Sequence, residues 1–412
     1  MRLILPSLIT VLLLGCSHQT NNGAQQPAAS QPTSWHGRMQ ELSKTLSQLW
    51  PIVANEQKFS DPANLPLIEK RTAELRSLAH VLNSNTPRPN NDPSMGLVSD
   101  LFAEDLERAL VSLRSGRVQY ARRVLLDSTS YCIQCHTQTD RGAKYPRLDL
   151  NADLSGLSAM EKAEFFAATR QFEPAVKEFE TLITDKNFAK TQPFEWQRAS
   201  RSALAIAVKV YKDPARTIEL IQKMQANPST PQFVKDNVQP WLRSANEWKS
   251  ERAPLIQSPY QAINRAEKMI ERAQKAQKDP LDQSQDITYF RASGLLHDIL
   301  GGRGAKDRIS TRALYLAGIA AENTRDLNFW TMHETYYEMC IRRMPHTELA
   351  RSCYKRLNDS IVQGYSGSAG TQIPGDIKDR LTKLNTLAEP VASLTPTPAP
   401  SAIPLPTTTP NP

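Results

Sequence analysis

The chain has 412 residues, with 50 Lys and Arg against 42 Asp and Glu, for a formal net charge of +8. Its basic residues are spread through helix-like segments and form no cluster interleaved with aromatics. The charge therefore reads as a solvated surface, with attraction to acidic partners or anionic lipid heads as the other reading, and nucleic acid is not expected as a partner.

The first element is an export signal. Arg2 supplies a short basic start, Leu3 to Leu14 form an apolar run, and "LLGC" ends it at Cys16. The run is too short to span a bilayer and has the layout of a secretory signal peptide over residues 1–15. Its ending resembles a bacterial lipobox, which implies that Cys16 becomes a lipid-bearing N-terminus; an ordinary signal cleaved nearby is the alternative. Ser17 follows in place of Asp, which by the same resemblance implies an outer-membrane lipoprotein facing the periplasm. Residues 16–33 are polar and proline-bearing, as a flexible tether requires.

Four amphipathic helices are expected over residues 34–148. Trp35, Met39, Leu42, Leu46, Leu49 and Val53 alternate steps of four and three, the seam of one helix face. Leu65, Ile68, Thr72, Leu75, Ala79 and Leu82 repeat the pattern after the turn "SDPAN". Val98, Phe102, Leu106, Leu110 and Leu113 form a third stripe, and Val118, Ala121, Leu125, Ser128, Cys132 and Cys135 a fourth. Four such helices with short connections predict an antiparallel four-helix bundle.

The fourth helix ends in "YCIQCHTQ", residues 131–138. With five Cys and seven His in the chain, a CxxCH string arises by chance roughly once in a thousand such chains. A zinc ribbon needs a second close pair, whereas Cys340 and Cys353 stand far downstream and far apart. A thioredoxin-like pair needs strands around it, and none is predicted. A covalent c-type haem is the reading that the pattern favours. Cys132 and Cys135, three apart, project from one helix face and can reach the two vinyl groups of one haem. His136 can then offer its imidazole to the iron.

At this point residues 34–148 resemble the cytochrome c′ family and its six-coordinate relatives, in which a four-helix bundle carries CxxCH near the end of its last helix. The resemblance spans roughly a quarter of the chain. It implies one haem c on Cys132, Cys135 and His136, with a distal residue from the first helix. Two alignments compete for that position. "MQELSKTL" makes Met39 the sixth ligand, as in six-coordinate members, while Arg38 and Leu42 match the open, aliphatic-lined site of five-coordinate ones. His36 is a third candidate and Met95 a lesser one; His80 reads as partly exposed and structural. The family's basic residue after the histidine is matched by Arg141, without its aromatic neighbour.

Residues 149–388 are expected to continue as helices. "AEFFAATRQFEPAVKEFETLI" resembles a tetratricopeptide repeat, with Ala163 and Phe166 in the packing sites of its first helix and Phe172, Ala175, Phe179 and Leu182 in those of its second. Further pairs are expected near 194–226, 230–278, 285–325 and 331–362, making a tetratricopeptide-like α-solenoid that binds protein partners. Cys340 and Cys353 flank a turn at Pro345-His346 and, outside the cytoplasm, are expected to form a disulfide, with free core thiols as the alternative. "GYSGSAGTQIPG" lacks a phosphate loop's GK[ST] ending and reads as a connection between helices. His297, His333 and His346 have no paired spacing and suggest no metal. From residue 389 a Pro/Thr-rich tail cannot bury enough apolar surface to order itself.

The expectation is thus an all-α, lipid-anchored, monohaem c-type cytochrome of the bacterial envelope that carries single electrons. An assembly scaffold whose haem senses redox state or a small gas is the alternative, and a peroxidase-like enzyme is disfavoured by the lack of an acid–base set near the motif. Labelled palmitate should enter the wild type and not Cys16→Ser, and that variant should leave the membrane fraction. Label retained by Cys16→Ser would reject the lipobox.

Overall fold

In a computed structural model the described residues are 34–83, 94–138, 154–251, 258–302, 307–324, 327 and 331–390. They are helical almost throughout, so the fold is all-α. The first stretch folds as α1 (Trp35–Val53), a short α2 (Glu56–Ser60), α3 (Leu65–Asn83), α4 (Ser94–Arg114) and α5 (Val118–His136). Ser34 starts α1 by accepting a hydrogen bond from the Gly37 amide, and Asn55 caps α2 through Lys58 N. The four long helices occupy the four predicted stripes. α1 packs on α3, α3 on α4 and α4 on α5, burying Leu49, Ile68, Leu75, Val98, Leu106 and Leu125. Arg122 of α5 donates to the carbonyls of Val53 and Ala54 at 2.8 and 2.7 Å, satisfying acceptors that the end of α1 leaves open.

The chain continues through α6 (Ala159–Ala168), α7 (Phe172–Thr184), α8 (Lys186–Thr191) and α9 (Pro193–Ala205). A π-helical turn, Ile206–Tyr211, follows α9 directly and is closed by Lys212 in the left-handed conformation. Then come α10 (Pro214–Ala226), α11 (Gln232–Ser250), α12 (Pro259–Ala276), α13 (Asp286–Leu300), α14 (Asp307–Glu322), α15 (Met332–Arg343) and α16 (Glu348–Gly364). The glycine-bearing connection after α16 forms a two-stranded ribbon, β1 (Ser366–Gly367) and β2 (Gly370–Thr371), before α17 (Gly375–Ala388).

Neighbouring helices pack in pairs, but one expected pair is replaced. α11 packs on α10 and α13, while α12 packs on α13 and α14, so 230–278 is not a mutually packed hairpin. The reason lies in which core takes each stripe. Val234, Val238, Trp241 and Ala245 of α11 join an apolar cluster with α6, α7, α9 and α10. Ile263, Ala266, Ile270 and Ala273 of α12 join a second cluster that contains the interiors of α1–α5 and of α13–α17. Apolar packing therefore does not divide at residue 148. The described residues all fall in one compact unit. At the junction, Ile133 of α5 sits in the cluster of the following helices, Phe165 of α6 sits in the cluster of the first helices, and Phe166 touches both.

Two further contacts lock the later helices. Cys340 and Cys353, both buried, are joined across the α15–α16 turn with Cα atoms 6.3 Å apart. Arg201 of α9 and Asp286 of α13 form an ion pair with side chains only 2 % and 1 % exposed, Nε to Oδ2 at 2.6 Å. A charge left alone there has no access to water. Asp286→Ala should lower stability in urea unfolding by about 3–5 kcal/mol, whereas Arg201→Met combined with Asp286→Leu should recover most of that loss.

Candidate functional site

The last turn of α5 lies where the two apolar clusters meet. Cys132 packs against the cluster of α6–α11, and Cys135 against that of the first helices. Both are half-buried, and neither takes part in a disulfide. One residue on, His136 places Nδ1 2.6 Å from the carbonyl oxygen of Ala168, the last residue of α6. A carbonyl only accepts, so Nδ1 carries the proton and the lone pair is on Nε2. The α6–α7 turn returns a second bond, from Arg170 Nη1 to the backbone carbonyl of His136 at 3.3 Å.

Electrostatics separates the possible chemistries. Burial pushes the Cys132 thiol up to about 12, so it is a thiol at neutral pH and a poor nucleophile for disulfide exchange. Burial, followed by the charge of Arg170, lowers His136 to about 4 against the pull of the Ala168 bond. The imidazole is thus neutral at pH 7, and its Nε2 lone pair is available to a metal. A histidine whose other nitrogen is tied to a carbonyl is what metal ligation requires: the bond fixes the tautomer and raises the basicity of the ligating nitrogen. The residues present therefore fit a covalently held haem better than a reactive dithiol. No group of three or more His, Cys, Asp or Glu able to hold a bare metal ion occurs among the described residues.

The end of α5 has a second anchor. Gln138, fully enclosed, donates from Nε2 to the Tyr336 hydroxyl of α15 at 3.2 Å. That hydroxyl is 2.6 Å from Nε2 of His297 on α13, whose Nδ1 is 3.3 Å from Ser293 Oγ. Burial and the charge of Lys209, on the π-helical turn, lower His297 to about 3. His297 is a hydrogen-bonded core histidine. None of Ala168, Arg170, Gln138 and Tyr336 was singled out by sequence, and no local signal marks them, because their partners are tens to hundreds of residues away.

The first-helix candidates are placed less decisively. Met39 and Leu42 are both half-buried, and Leu42 packs against the core of the first helices. His36 is exposed and pairs with Gln40, while Arg38 and Met95 are half-buried and His80 is exposed. His333 bonds to Ser360 and His346 to the Glu389 carbonyl. Cys16, the tether, Arg141 and the tail from residue 391 lie outside the described residues. Among the described residues no helix is long and apolar enough to cross a membrane. Compared with models of known protein families, with curated proteins and with solved structures, the chain matches none.

His136 and His297 are both held neutral in the fold, below their usual value of 6.5. Below that pH the unfolded chain takes up protons that the folded chain refuses, so stability falls with falling pH. While only the unfolded state is protonated, each histidine held neutral in this way contributes a loss of up to about 1.4 kcal/mol per pH unit. Urea unfolding between pH 7.5 and 4.5 should show this slope, and His297→Gln should remove its share without changing stability's pH dependence above 7.

Proposed function

We propose that the protein is a monohaem c-type cytochrome, lipid-anchored in the bacterial envelope, that carries single electrons while its later helices hold a protein partner. The carrying observation is the His136–Ala168 bond beside Cys132 and Cys135, which leaves Nε2 unprotonated at the end of a CxxCH turn. Cys132 and Cys135 would hold the haem as thioethers, and His136 would be its proximal ligand. A haem held there supplies a one-electron ferric/ferrous couple. The chain's part is to orient His136, exclude water with the two apolar clusters and fix the end of α5.

On this reading α1, α3, α4 and α5 are the bundle of a cytochrome c′-like unit, and α6–α17 are a tetratricopeptide-like α-solenoid. The buried Ala163, Ala175 and Phe179 support the repeat reading of α6 and α7. Lipid on Cys16, an outer-membrane anchorage facing the periplasm and a partner on the solenoid belong to the same proposal. The shared core of bundle and solenoid favours a second reading, an assembly scaffold whose haem senses redox state or a small gas.

The distal position decides between them. Methionine opposite imidazole favours ferrous iron and electron transfer, whereas an aliphatic pocket around Leu42 admits only small neutral gases. Expressed with a c-type maturation system, Cys132→Ala and Cys135→Ala should each lose haem that survives denaturing electrophoresis. Peroxidase-active staining unchanged in both would end the c-type reading. If Met39 is the sixth ligand, Met39→Ala should turn low-spin iron high-spin and open it to CO, while Leu42→Ala leaves the spin state alone; a high-spin wild type moves the sensor reading ahead.

A further inference from the structure

Resting on the reading of Cys132, Cys135 and His136 as a haem site, we propose that Arg170 is a positioning residue that raises the reduction potential of the iron from outside the bundle. The residue sits in the α6–α7 turn, the first turn of the helical array. Its backbone is left-handed, with φ 59°, a conformation that costs a non-glycine side chain of order 1 kcal/mol or more. Two turn hydrogen bonds hold it there, Arg170 N to Ala167 O at 3.1 Å and Gln171 N to Phe166 O at 2.7 Å. The guanidinium lies over the Phe172 ring, 5.4 Å from its centroid, a cation–π contact.

From that position the turn grips His136 twice. Ala168 O accepts from the ring, and Arg170 Nη1 donates to the backbone carbonyl of the same residue. The His136 carbonyl is one of the acceptors that the C-terminus of α5 leaves without an intrahelical partner. Arg170 is therefore a cap supplied to α5 from another helix pair, and a cation at a helix C-terminus is on the favourable side of the helix dipole. With both grips in place the imidazole cannot rotate without breaking a bond to the array.

The same guanidinium is a fixed positive charge next to the proximal ligand. Oxidation of ferrous to ferric iron adds a positive charge at the site, and a nearby cation disfavours it. Arg170 thus biases the couple toward the ferrous state. The structure gives the array a direct means of tuning the iron, through a residue that the sequence pattern of the bundle does not contain.

The test uses the full chain matured with haem and three variants. Arg170→Gly adopts the left-handed turn freely and keeps the fold while removing the guanidinium; Arg170→Gln removes the charge and keeps a donor; Arg170→Lys keeps the charge. Haem staining on denaturing gels, the thermal midpoint and the spectroelectrochemical midpoint potential are measured for each. All should stain like the wild type. The potential should shift downward in Arg170→Gly and Arg170→Gln and return most of the way in Arg170→Lys. Full staining with an unchanged potential in Arg170→Gly and Arg170→Gln would overturn the proposal and leave the c-type reading standing, with Arg170 merely holding a turn. Absence of covalent haem from the wild type, seen on the gel before any potential is measured, would remove both.

Discussion

The bond between His136 Nδ1 and the Ala168 carbonyl is the constraint on which the proposed haem site depends. It crosses from the last residue of α5 to the last residue of α6, two helix ends that have no reason in their own sequences to meet. A helix end leaves carbonyls without donors, and a buried imidazole needs a partner for its N–H. Each end here supplies what the other lacks. Because the carbonyl can only accept, the proton is confined to Nδ1 and Nε2 keeps its lone pair. A fixed tautomer, an orienting contact and a junction between two parts of the fold thus come from one hydrogen bond, and the proposed haem site builds on all three.

The bond holds because the packing around it is continuous. Ile133 and Phe165 exchange places across the junction, each filling the cluster of the other's helix set. The later helices meet this demand by close fitting. A Cβ at Gly318 of α14 would overlap the Tyr337 ring, so glycine is what lets that ring approach the helix so closely. The ring then carries its hydroxyl to Glu322, which also takes Arg356, so the polar tip of a buried aromatic is satisfied. Next to Tyr337 on α15, Glu338 is held by Arg342 and Arg380. The buried Asp286 and Glu338 are each paired with an arginine from a helix distant in sequence, Arg201 and Arg380.

How much of this was legible in the sequence follows from the range of each interaction. Apolar steps of three and four placed α1, α3, α4 and α5 because a helix face is a local property. The five-residue α2 was missed, since a single turn capped by Asn55 carries too short a stripe to register. The pairing of α11 and α12 was misread for a different reason. Both are amphipathic, and nothing within 230–278 says which of two cores will take which stripe. CxxCH was legible as a motif because its chemistry lies within five residues. Its supports were not: Ala168 contributes a backbone carbonyl, which has no sequence signature, and Tyr336 lies 198 residues from Gln138.

These long-range supports bound how the two parts of the fold can communicate. The end of α5 is held on one side by the α6–α7 turn and on the other by Gln138, Tyr336 and His297. Leaving a buried donor or acceptor unpaired costs about 1–3 kcal/mol, equivalent to roughly a 5- to 150-fold change in an equilibrium. A ligand on the array that shifts α6–α7 without breaking its grip would carry His136 with it as a rigid body and leave the orientation and tautomer of its ring unchanged. One that breaks the grip must supply that free energy, and it then frees the imidazole to rotate and removes its fixed tautomer. Loss of the grip would thus be a discrete step rather than a graded one, which is the form of coupling that a close-packed interior permits.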